Sequence, residues 1–129
     1  MADSQPLMAQ AIADAPFELP EQPLESDLIA KYFRGFGDPT RIRILEALAA
    51  GERSVGELVA QIGEPQPKVS THLACLRWCG FVEGRREHRT VRYRIAERRV
   101  TKMLGLVRGL LHDNAEHVAA CRTINGAPG

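Results

Sequence analysis

The sequence predicts a mainly α domain that carries one β-hairpin, and three observations lead to this fold class. Apolar residues recur at helical spacing in several segments between residues 25 and 120. One segment, FVEGRREHRTVRYRI, has β-prone residues at both ends of a polar centre. Residues 1–24 hold four prolines and little periodicity. We therefore expect a flexible acidic arm over 1–24, the folded domain over 25–120 and a C-terminal tail over 121–129.

The composition excludes two classes of protein. A length of 129 residues, with 44% hydrophobic and 26% charged residues, is typical of one globular domain. No apolar run reaches the roughly 18 residues of a membrane span, and the N-terminus lacks the pattern of a secretory signal. Three cysteines are an odd number and favour reduced thiols. We expect a cytoplasmic protein, not a membrane protein or a small disulfide scaffold.

Two helices are predicted at the start of the domain. The first begins at Ser26 and ends at Gly35 and Gly37, and the second starts with Asp38 as N-cap and Pro39 in its first turn. The first helix repeats apolar residues at Leu28, Ile29, Tyr32, Phe33 and Phe36. The buried stripe of the second is predicted to be Ile42, Leu45, Leu48 and Ala49.

A helix-turn-helix follows. Ser54 and Glu57 match a capping box, and the short helix that they open stops at Gly63. The next helix is predicted to start at Pro67 and end at Gly80. Its core-facing residues are expected to be Val69, Leu73 and Leu76. Two short helices joined by a tight turn form this motif.

The β-hairpin and a last helix complete the domain. Phe81-Val82 and residues 91–95 are predicted strands around a turn-like basic tip, GRREHRT. The long amphipathic helix from Arg98 has an apolar stripe of Val100, Met103, Leu104, Val107, Leu110, Leu111 and Val118. The whole order predicts a winged helix-turn-helix. Because so small a domain covers that stripe poorly, we expect a homodimer through the terminal helices.

Charge is distributed unevenly along the chain. Residues 1–30 contain six acids and no Lys or Arg, whereas residues 31–129 carry a net charge of +7. Between Arg77 and Arg99 there are eight arginines and three glutamates. Such a cluster is either a solvated face or a surface that binds a polyanion, and the predicted fold around it favours the second interpretation.

Three segments resemble the ArsR/SmtB family of metal-responsive repressors. GFGDPTRIRILEAL resembles its Asp-Pro-Thr-Arg helix, VSTHLACLRWCGFV its recognition helix and first wing strand, and RTVRYRI its second wing strand. The resemblance covers roughly residues 28–112. It implies a homodimer that binds double-stranded operator DNA and releases it when a ligand binds, with no membrane partner.

The resemblance also suggests which residues meet DNA. An α-helix fits the major groove, and side chains near its N-terminal half reach the bases, whereas arginines on a hairpin contact phosphates. The candidates are Gln66, Lys68, Ser70, Thr71, His72, Arg77, Arg85, Arg86, Arg89 and Arg92. For His72, a phosphate contact or a packed structural role is a better explanation than metal ligation.

The cysteines suggest a metal site. Cys75 and Cys79 lie four residues apart, which on a helix separates them by about 40° and roughly 6 Å, so two thiolates can close on one soft ion. The alternative is that both are small apolar residues in the core. HLACLRWCG with a C-terminal cysteine resembles the cadmium- and lead-sensing branch, and this resemblance adds Cys121 as a third ligand.

Three thiolates select soft ions. Cd(II), Pb(II) and Hg(II) fit such a site, and As(III) and Sb(III) also accept three sulfurs. Zinc requires a fourth ligand, from His72, His117 or water. A second zinc site on the last helix has donors at its end, but at its start the basic residues Arg98, Arg99 and Lys102 stand in place of most donors. Its late donors are His112, Asp113, Glu116 and His117.

Two further alternatives differ in class. A thiol redox sensor on the same fold would bridge Cys121 to the partner, because cysteines at i, i+4 on a helix lie near the upper limit for a disulfide. A metal buffer would bind ions without binding DNA. An enzyme is not expected, since the sequence has no Cys-x-x-Cys motif, phosphate-binding glycine loop or nucleophile triad.

Overall fold

The computed structural model describes residues 22–120, apart from the side chain of Val118. Its elements are helices α1 (Glu25–Phe36), α2 (Pro39–Ala49), α3 (Val55–Ile62), α4 (Gln66–Trp78) and α5 (Arg98–Ala120), and strands β1 (Arg53–Ser54), β2 (Val82–Glu87) and β3 (Thr90–Ile95). This order confirms the predicted mainly α fold with a β-hairpin. Two compact units are separated between Glu97 and Arg98. Residues 1–21 of the expected arm and the tail with Cys121 lie outside the described residues.

The junction between α1 and α2 is set by local signals and by one close approach. Asp38 is the predicted N-cap, and its Oδ1 accepts the backbone N–H groups of Thr40 at 2.8 Å and Arg41 at 3.1 Å. Of the two glycines predicted to end α1, Gly37 is its C-cap, whereas Gly35 lies within the helix, which continues to Phe36. A Cβ at Gly35 would lie 3.0 Å from the Phe81 ring and 3.1 Å from Cys79 Sγ, so glycine lets α1 approach this cysteine closely.

The buried face of α2 is rotated from the predicted stripe. Leu45 and Leu48 are buried as expected, but Ile42 is only half-buried and Ala49 is exposed. Ile44 and Ala47 are buried instead. The reason is that α2 contacts α3, α4 and β3 together, and the three neighbours surround a different side of the helix.

The helix-turn-helix agrees with its sequence signals. Ser54 Oγ accepts the N–H of Glu57 at 3.2 Å, and the Glu57 carboxylate accepts the N–H of Ser54 at 2.8 Å, which completes the capping box. Gly63 ends α3 in the left-handed region with φ of 81°. The core-facing residues of α4, as predicted, are Val69, Leu73 and Leu76.

The hairpin belongs to a three-stranded antiparallel sheet with the order β1-β3-β2. Its register runs from Val82 opposite Ile95 to Glu87 opposite Thr90. The prediction of a polar turn over residues 84–90 is therefore too long, since only two residues separate the strands and His88 takes the positive φ of 58°. The residues of β2 after Val82 are all exposed. Because neither face of this part of the strand is buried, its sequence lacks the apolar alternation that predicts a strand.

Helix α5 confirms the long helix predicted from Arg98. Asn114 interrupts the regular geometry with φ of −126° and ψ of 24°, and its Nδ2 donates to the carbonyl of Leu110 at 3.0 Å. Large apolar residues of this helix are more than half exposed at Leu106, Val107 and Leu110. In the part of the chain that is described, no helix is long and apolar enough to cross a membrane.

Candidate functional site

The first turns of α4 present a row of polar side chains to solvent. Gln66, Lys68, Ser70 and Thr71 are exposed, while Val69 on the opposite side is completely buried. Thr71 Oγ1 donates to the carbonyl of Pro67 at 2.9 Å, and Lys68 Nζ lies 3.2 Å from Glu64. Arg77 is exposed near the other end of the helix. The row therefore offers donors and acceptors on the surface of the helix that was predicted to read DNA.

His72 differs from its neighbours because it faces inward. Its side chain is 14% exposed, and Arg41 Nη1 donates to His72 Nδ1 at 3.2 Å, so the ring proton belongs on Nε2. That nitrogen lies 3.7 Å from Asp38 Oδ1. Burial lowers the pKa of His72. The negative charge of Asp38 raises this pKa, and the positive charge of Arg41 lowers it. This geometry supports a structural role over metal ligation.

Arg41 joins three helices at this point. Its Nε donates to the carbonyl of Gly35 at 2.9 Å, and its Nη2 donates to the carbonyl of Arg34 at 2.7 Å. With the bond to His72, one guanidinium on α2 connects the end of α1 to α4. Because the last carbonyls of a helix have no partners within it, this contact satisfies two of them.

The arginines of the wing, which is the hairpin of β2 and β3, fall into two groups. Arg85 lies 3.0 Å from Glu52, and Arg92 lies 3.5 Å from Glu52 and 3.3 Å from Glu57. The hydrogen bond from Arg85 is the main cause that lowers the pKa of Glu52. Within residues 22–120, by contrast, the exposed Arg86 and Arg89 form no ion pair. The second group is thus available to an external anion.

The sequence did not predict the ion pairs that Glu52 and Glu57 form with arginines of the hairpin. Glu52 precedes α3 and Glu57 lies in its first turn, and both are far along the chain from the hairpin. Strand β1 brings them beside β3, because Arg53 pairs with Tyr93 and Ser54 pairs with Arg92. A two-residue strand leaves no recognisable pattern. The pairing is the reason that Arg85 and Arg92 are held against the body of the domain.

The two described thiols are neighbours at the end of α4. Cys79 is 5% exposed and follows the last residue of the helix, and its backbone N–H donates to the Cys75 carbonyl at 3.0 Å. Burial raises the pKa of the Cys79 thiol to about 11, and the charge of Cys75 and a hydrogen bond to it act in the same direction. Both thiols are free of disulfides. Cys79 is therefore a neutral thiol at neutral pH.

Cys75 is half-buried and opens toward solvent. It lines an open groove of about 820 Å³, bordered also by Phe33, Arg34, Arg41 and Thr71. An ion can reach Cys75 through this groove, and Cys79 lies next to Cys75 on the protein side. Cys75 thus lies at the edge of the core, as predicted from the helical spacing, whereas Cys79 is buried within the core.

Lys31 is a further residue of this region that the sequence did not single out. It is 8% exposed, and its Nζ lies 3.6 Å from the centroid of the Trp78 ring and 4.9 Å from that of Tyr32. Burial lowers its pKa, and the charges of Cys79 and Cys75 oppose that change. A lysine within an apolar helical stripe gives no sequence signal of such contacts.

Comparisons with known proteins identify the family. The protein-family model described as "Bacterial regulatory protein, arsR family" matches residues 38–84 of this chain. The chain is 41% identical over 100 residues to the "Probable mercury resistance operon repressor" of Streptomyces lividans, a match that covers 78% of this chain and 80% of that protein. The chain belongs to the arsR family of bacterial regulatory proteins.

Two more proteins similar to this arsR-family chain agree. The regulator CmtR of Mycobacterium tuberculosis is 42% identical over 82 residues, which cover 64% of this chain and 70% of that protein. The homodimeric winged helix-turn-helix DNA-binding domain Mb0332 from Mycobacterium bovis is 33% identical with a TM-score of 0.65, covering 70% of this chain and 84% of that domain. The predicted winged helix-turn-helix is confirmed, and the arsR-family chain is a transcriptional regulator, not an enzyme.

The donor set of this arsR-family regulator fits a soft metal in part. Two thiols four residues apart at the end of one helix can bind one ion, and sulfur ligands favour thiophilic ions. Among residues 22–120 no group of three or more His, Cys, Asp or Glu side chains is arranged to hold a metal ion. The described donors of α5, His112, Asp113, Glu116 and His117, form no such group either. The third cysteine of the chain, Cys121, lies outside the described residues.

Proposed function

We propose that this regulator binds operator DNA as a homodimer, represses transcription, and leaves the DNA when a thiophilic heavy-metal ion binds its cysteines. The single observation that carries the proposal is that Cys75 and Cys79 lie at the end of the helix whose other end presents Gln66, Lys68 and Ser70 to solvent. An ion bound there acts directly on the element that reads DNA. The names of the relatives from Streptomyces lividans and Mycobacterium tuberculosis support regulation of this kind.

The exposed side chains support the DNA contact. The polar row on α4 is suited to base edges and phosphates in the major groove, with Thr71 and Arg77 beside it. Arg86 and Arg89 are suited to backbone phosphates because no carboxylate among the described residues neutralises them. Arg85 and Arg92 already pair with glutamates, so in this proposal they hold the wing in place and contribute less to phosphate binding.

The exposed apolar residues support the dimer. Helix α1 leaves Ile29 and Phe33 exposed, and helix α5 leaves Leu106 and Leu110 exposed, at 46–70% of each residue. Apolar surface of this kind on a terminal helix is covered in a stable protein by another copy or a partner. The homodimeric state of the Mb0332 domain supports the same arrangement.

The coupling between metal and DNA requires little energy. A tenfold loss of operator affinity corresponds to a coupling free energy of about 1.4 kcal/mol, which is ordinary for allosteric proteins. Coupling is reciprocal, so operator DNA has to weaken metal binding by the same factor. Metal ions that ligate Cys75, Cys79 and Cys121 displace their protons and change the local charge and shape at the end of α4.

The wing provides the first prediction. The Arg86→Ala/Arg89→Ala double variant is expected to reduce the magnitude of the slope of log operator affinity against log salt by about 3.6, since each subunit of the homodimer loses two phosphate contacts and each contact contributes about 0.9. Arg94→Ala is the matched control on the same hairpin, because Arg94 pairs with Glu83 and its loss leaves the slope unchanged. Fluorescence anisotropy of labelled DNA at several salt concentrations measures both. Equal slopes for the double variant and the wild type would contradict the proposed phosphate contacts.

The metal site is tested by operator release and by thiol protection. We expect Cd(II), Pb(II) or Hg(II) to release DNA from the wild type, and Cys121→Ser to bind the operator normally but respond weakly. In alkylation with iodoacetamide, the bound ion should protect all three thiols. Trypsin cleaves after Arg77 and Arg108, so each cysteine falls in its own peptide and mass spectrometry reports it separately.

The same release experiment, repeated with As(III), Sb(III) and an oxidant, decides between the proposed inducer and its alternatives. Release by As(III) or Sb(III) alone would assign the site to trivalent metalloids. Release by an oxidant, with Cys121 found in a disulfide, would assign it to redox sensing. Metal binding without any duplex binding would leave a metal buffer and would overturn the proposal.

A further inference from the structure

Two arginines of the wing lie directly opposite each other. Arg85 of β2 pairs with Arg92 of β3 in the register of the hairpin. Like charges at directly opposed positions destabilise a sheet, because the two side chains stand close together on one face. The pair is therefore favoured by a carboxylate that reaches both guanidinium groups.

Glu52 supplies this carboxylate from outside the hairpin. Its Oε1 lies 3.0 Å from Arg85 Nη2 and 3.5 Å from Arg92 Nε, so one oxygen contacts both guanidinium groups. The backbone carbonyl of Glu52 also accepts a hydrogen bond from Arg92 Nη2 at 3.3 Å. Glu52 directly precedes β1, and the pairing of Ser54 with Arg92 fixes it beside the hairpin.

The two arginines are held to different degrees. The Arg92 side chain is 29% exposed, and a second carboxylate, that of Glu57, lies 3.3 Å from its Nη1. The Arg85 side chain is 50% exposed, and its other partner is the exposed Glu87 of the same strand, at 3.1 Å. An exposed pair of this kind is weak. Without the Glu52 carboxylate, Arg92 is still held by Glu57, whereas Arg85 is released to solvent.

The next residue of β2, Arg86, shows how an arginine of the wing behaves away from Glu52. Successive side chains of a strand point to opposite faces, so Arg86 lies on the other face from Arg85. Among residues 22–120 it forms no ion pair. Two neighbouring arginines of one strand thus differ in their availability to an external anion, and the Glu52 carboxylate lies on the side of the unavailable one.

We propose that Glu52 sets the strength of sequence-independent DNA binding by withholding Arg85 from the phosphate backbone. The inference rests on the proposed function, in which the regulator binds duplex DNA as a homodimer. It goes beyond that function by assigning a positioning role to a carboxylate that belongs neither to the wing nor to the helix that reads bases. Phosphate contacts carry no sequence information, so Glu52 lowers the affinity for operator and for unrelated duplex by the same factor.

The salt dependence of DNA binding tests this role. Glu52→Gln is expected to increase the magnitude of the slope of log affinity against log salt by about 1.8, since Arg85 gains one phosphate contact in each of two subunits and each contact contributes about 0.9. The gain in affinity over the wild type is then about tenfold larger at about 50 mM salt than at about 200 mM, on both duplexes. Fluorescence anisotropy of labelled operator and of a labelled unrelated duplex measures the slopes.

A double-mutant cycle separates the release of Arg85 from a general effect of charge. In an Arg85→Ala background, Glu52→Gln should no longer make the slope steeper. Glu25→Gln is the matched control, because it removes the same charge from an exposed residue of α1 and should leave the slope unchanged. Glu52→Ala is measured alongside in case the glutamine variant does not fold, which circular dichroism detects.

Each outcome decides a separate point. A wild-type or shallower slope in the folded Glu52 variants, or an equally steeper slope in the Arg85→Ala background, would overturn the inference. A gain in affinity for the operator alone would also overturn it, because Glu52 would then act on the reading of bases. If the wild type binds neither duplex at any salt concentration, the proposed function fails instead.

Discussion

The Cys79→Ser variant is expected to bind Cd(II) about 100-fold more weakly than the wild type and to stay on the operator at ion concentrations that release the wild type. A hydroxyl is a poor ligand for a soft ion, and losing one of the three proposed sulfur ligands should cost at least the upper end of the 10–100-fold typical of outer-shell changes. Operator affinity without metal should change little, because Cys79 is buried and lies after the last residue of α4. Anisotropy of labelled operator DNA during a Cd(II) titration measures both quantities.

The pH dependence of the wild type checks the same site. Because burial raises the pKa of the Cys79 thiol to about 11, the ion has to displace a proton from it at any working pH near neutrality. Metal affinity therefore rises with pH, by about tenfold per pH unit for each proton displaced. Cys79→Ser is expected to have a shallower slope by about one proton.

A second substitution at this position separates ligation from folding. Cys79→Ala keeps an apolar side chain beside Gly35 and Phe81, whereas serine places a hydroxyl there. Both variants should lose the response to Cd(II) equally. A response retained in Cys79→Ala would mean that serine acts by disturbing the packing, and the thiol would not be a ligand.

Arg41→Ala is expected to lower the free energy of unfolding by about 3 kcal/mol, because hydrogen bonds from a charged donor are each worth about 1.5–3 kcal/mol and are not fully additive. The side chain donates to two carbonyls at the end of α1 and to His72 on α4. Losing it frees α4 from this attachment, so operator affinity should also fall. Urea unfolding followed by circular dichroism measures the stability.

Arg43→Ala is the matched control for Arg41. It removes an exposed arginine two residues along the same helix, and the expected loss is within about 0.5 kcal/mol. If the two variants were equally stable, the bonds of Arg41 would not contribute to the attachment of α1 and α4.

Local signals in the sequence predicted much of the fold. Asp38 and Ser54 were identified as caps because an N-cap depends only on residues three positions away, and the structure contains both. The thiol pair is predictable for a similar reason, since a spacing of four residues brings Cys79 beside Cys75 although α4 ends one residue earlier, at Trp78. The pattern of α4, with Val69 buried, follows from the same periodicity.

Contacts between distant segments were not predictable in this way. The sequence predicts Gly35 at the end of a helix, but in the structure this glycine admits Cys79 and Phe81, which lie more than 40 residues further along the chain. The ammonium group of Lys31 lies over the ring of Trp78, and Arg92 forms an ion pair with Glu52. None of these partners has a fixed spacing in the sequence, so only the folded chain brings them together.

The joint use of one helix by two tasks limits how this regulator evolves. Thirteen residues, Gln66–Trp78, and the cysteine that follows them carry both the polar row at one end and the sulfur pair at the other. A mutation that shifts the helix to suit a new operator also shifts the sulfurs, and a change of ion geometry acts back on the reading of bases. If the proposed function holds, divergence of promoter choice and of inducer choice must then proceed together.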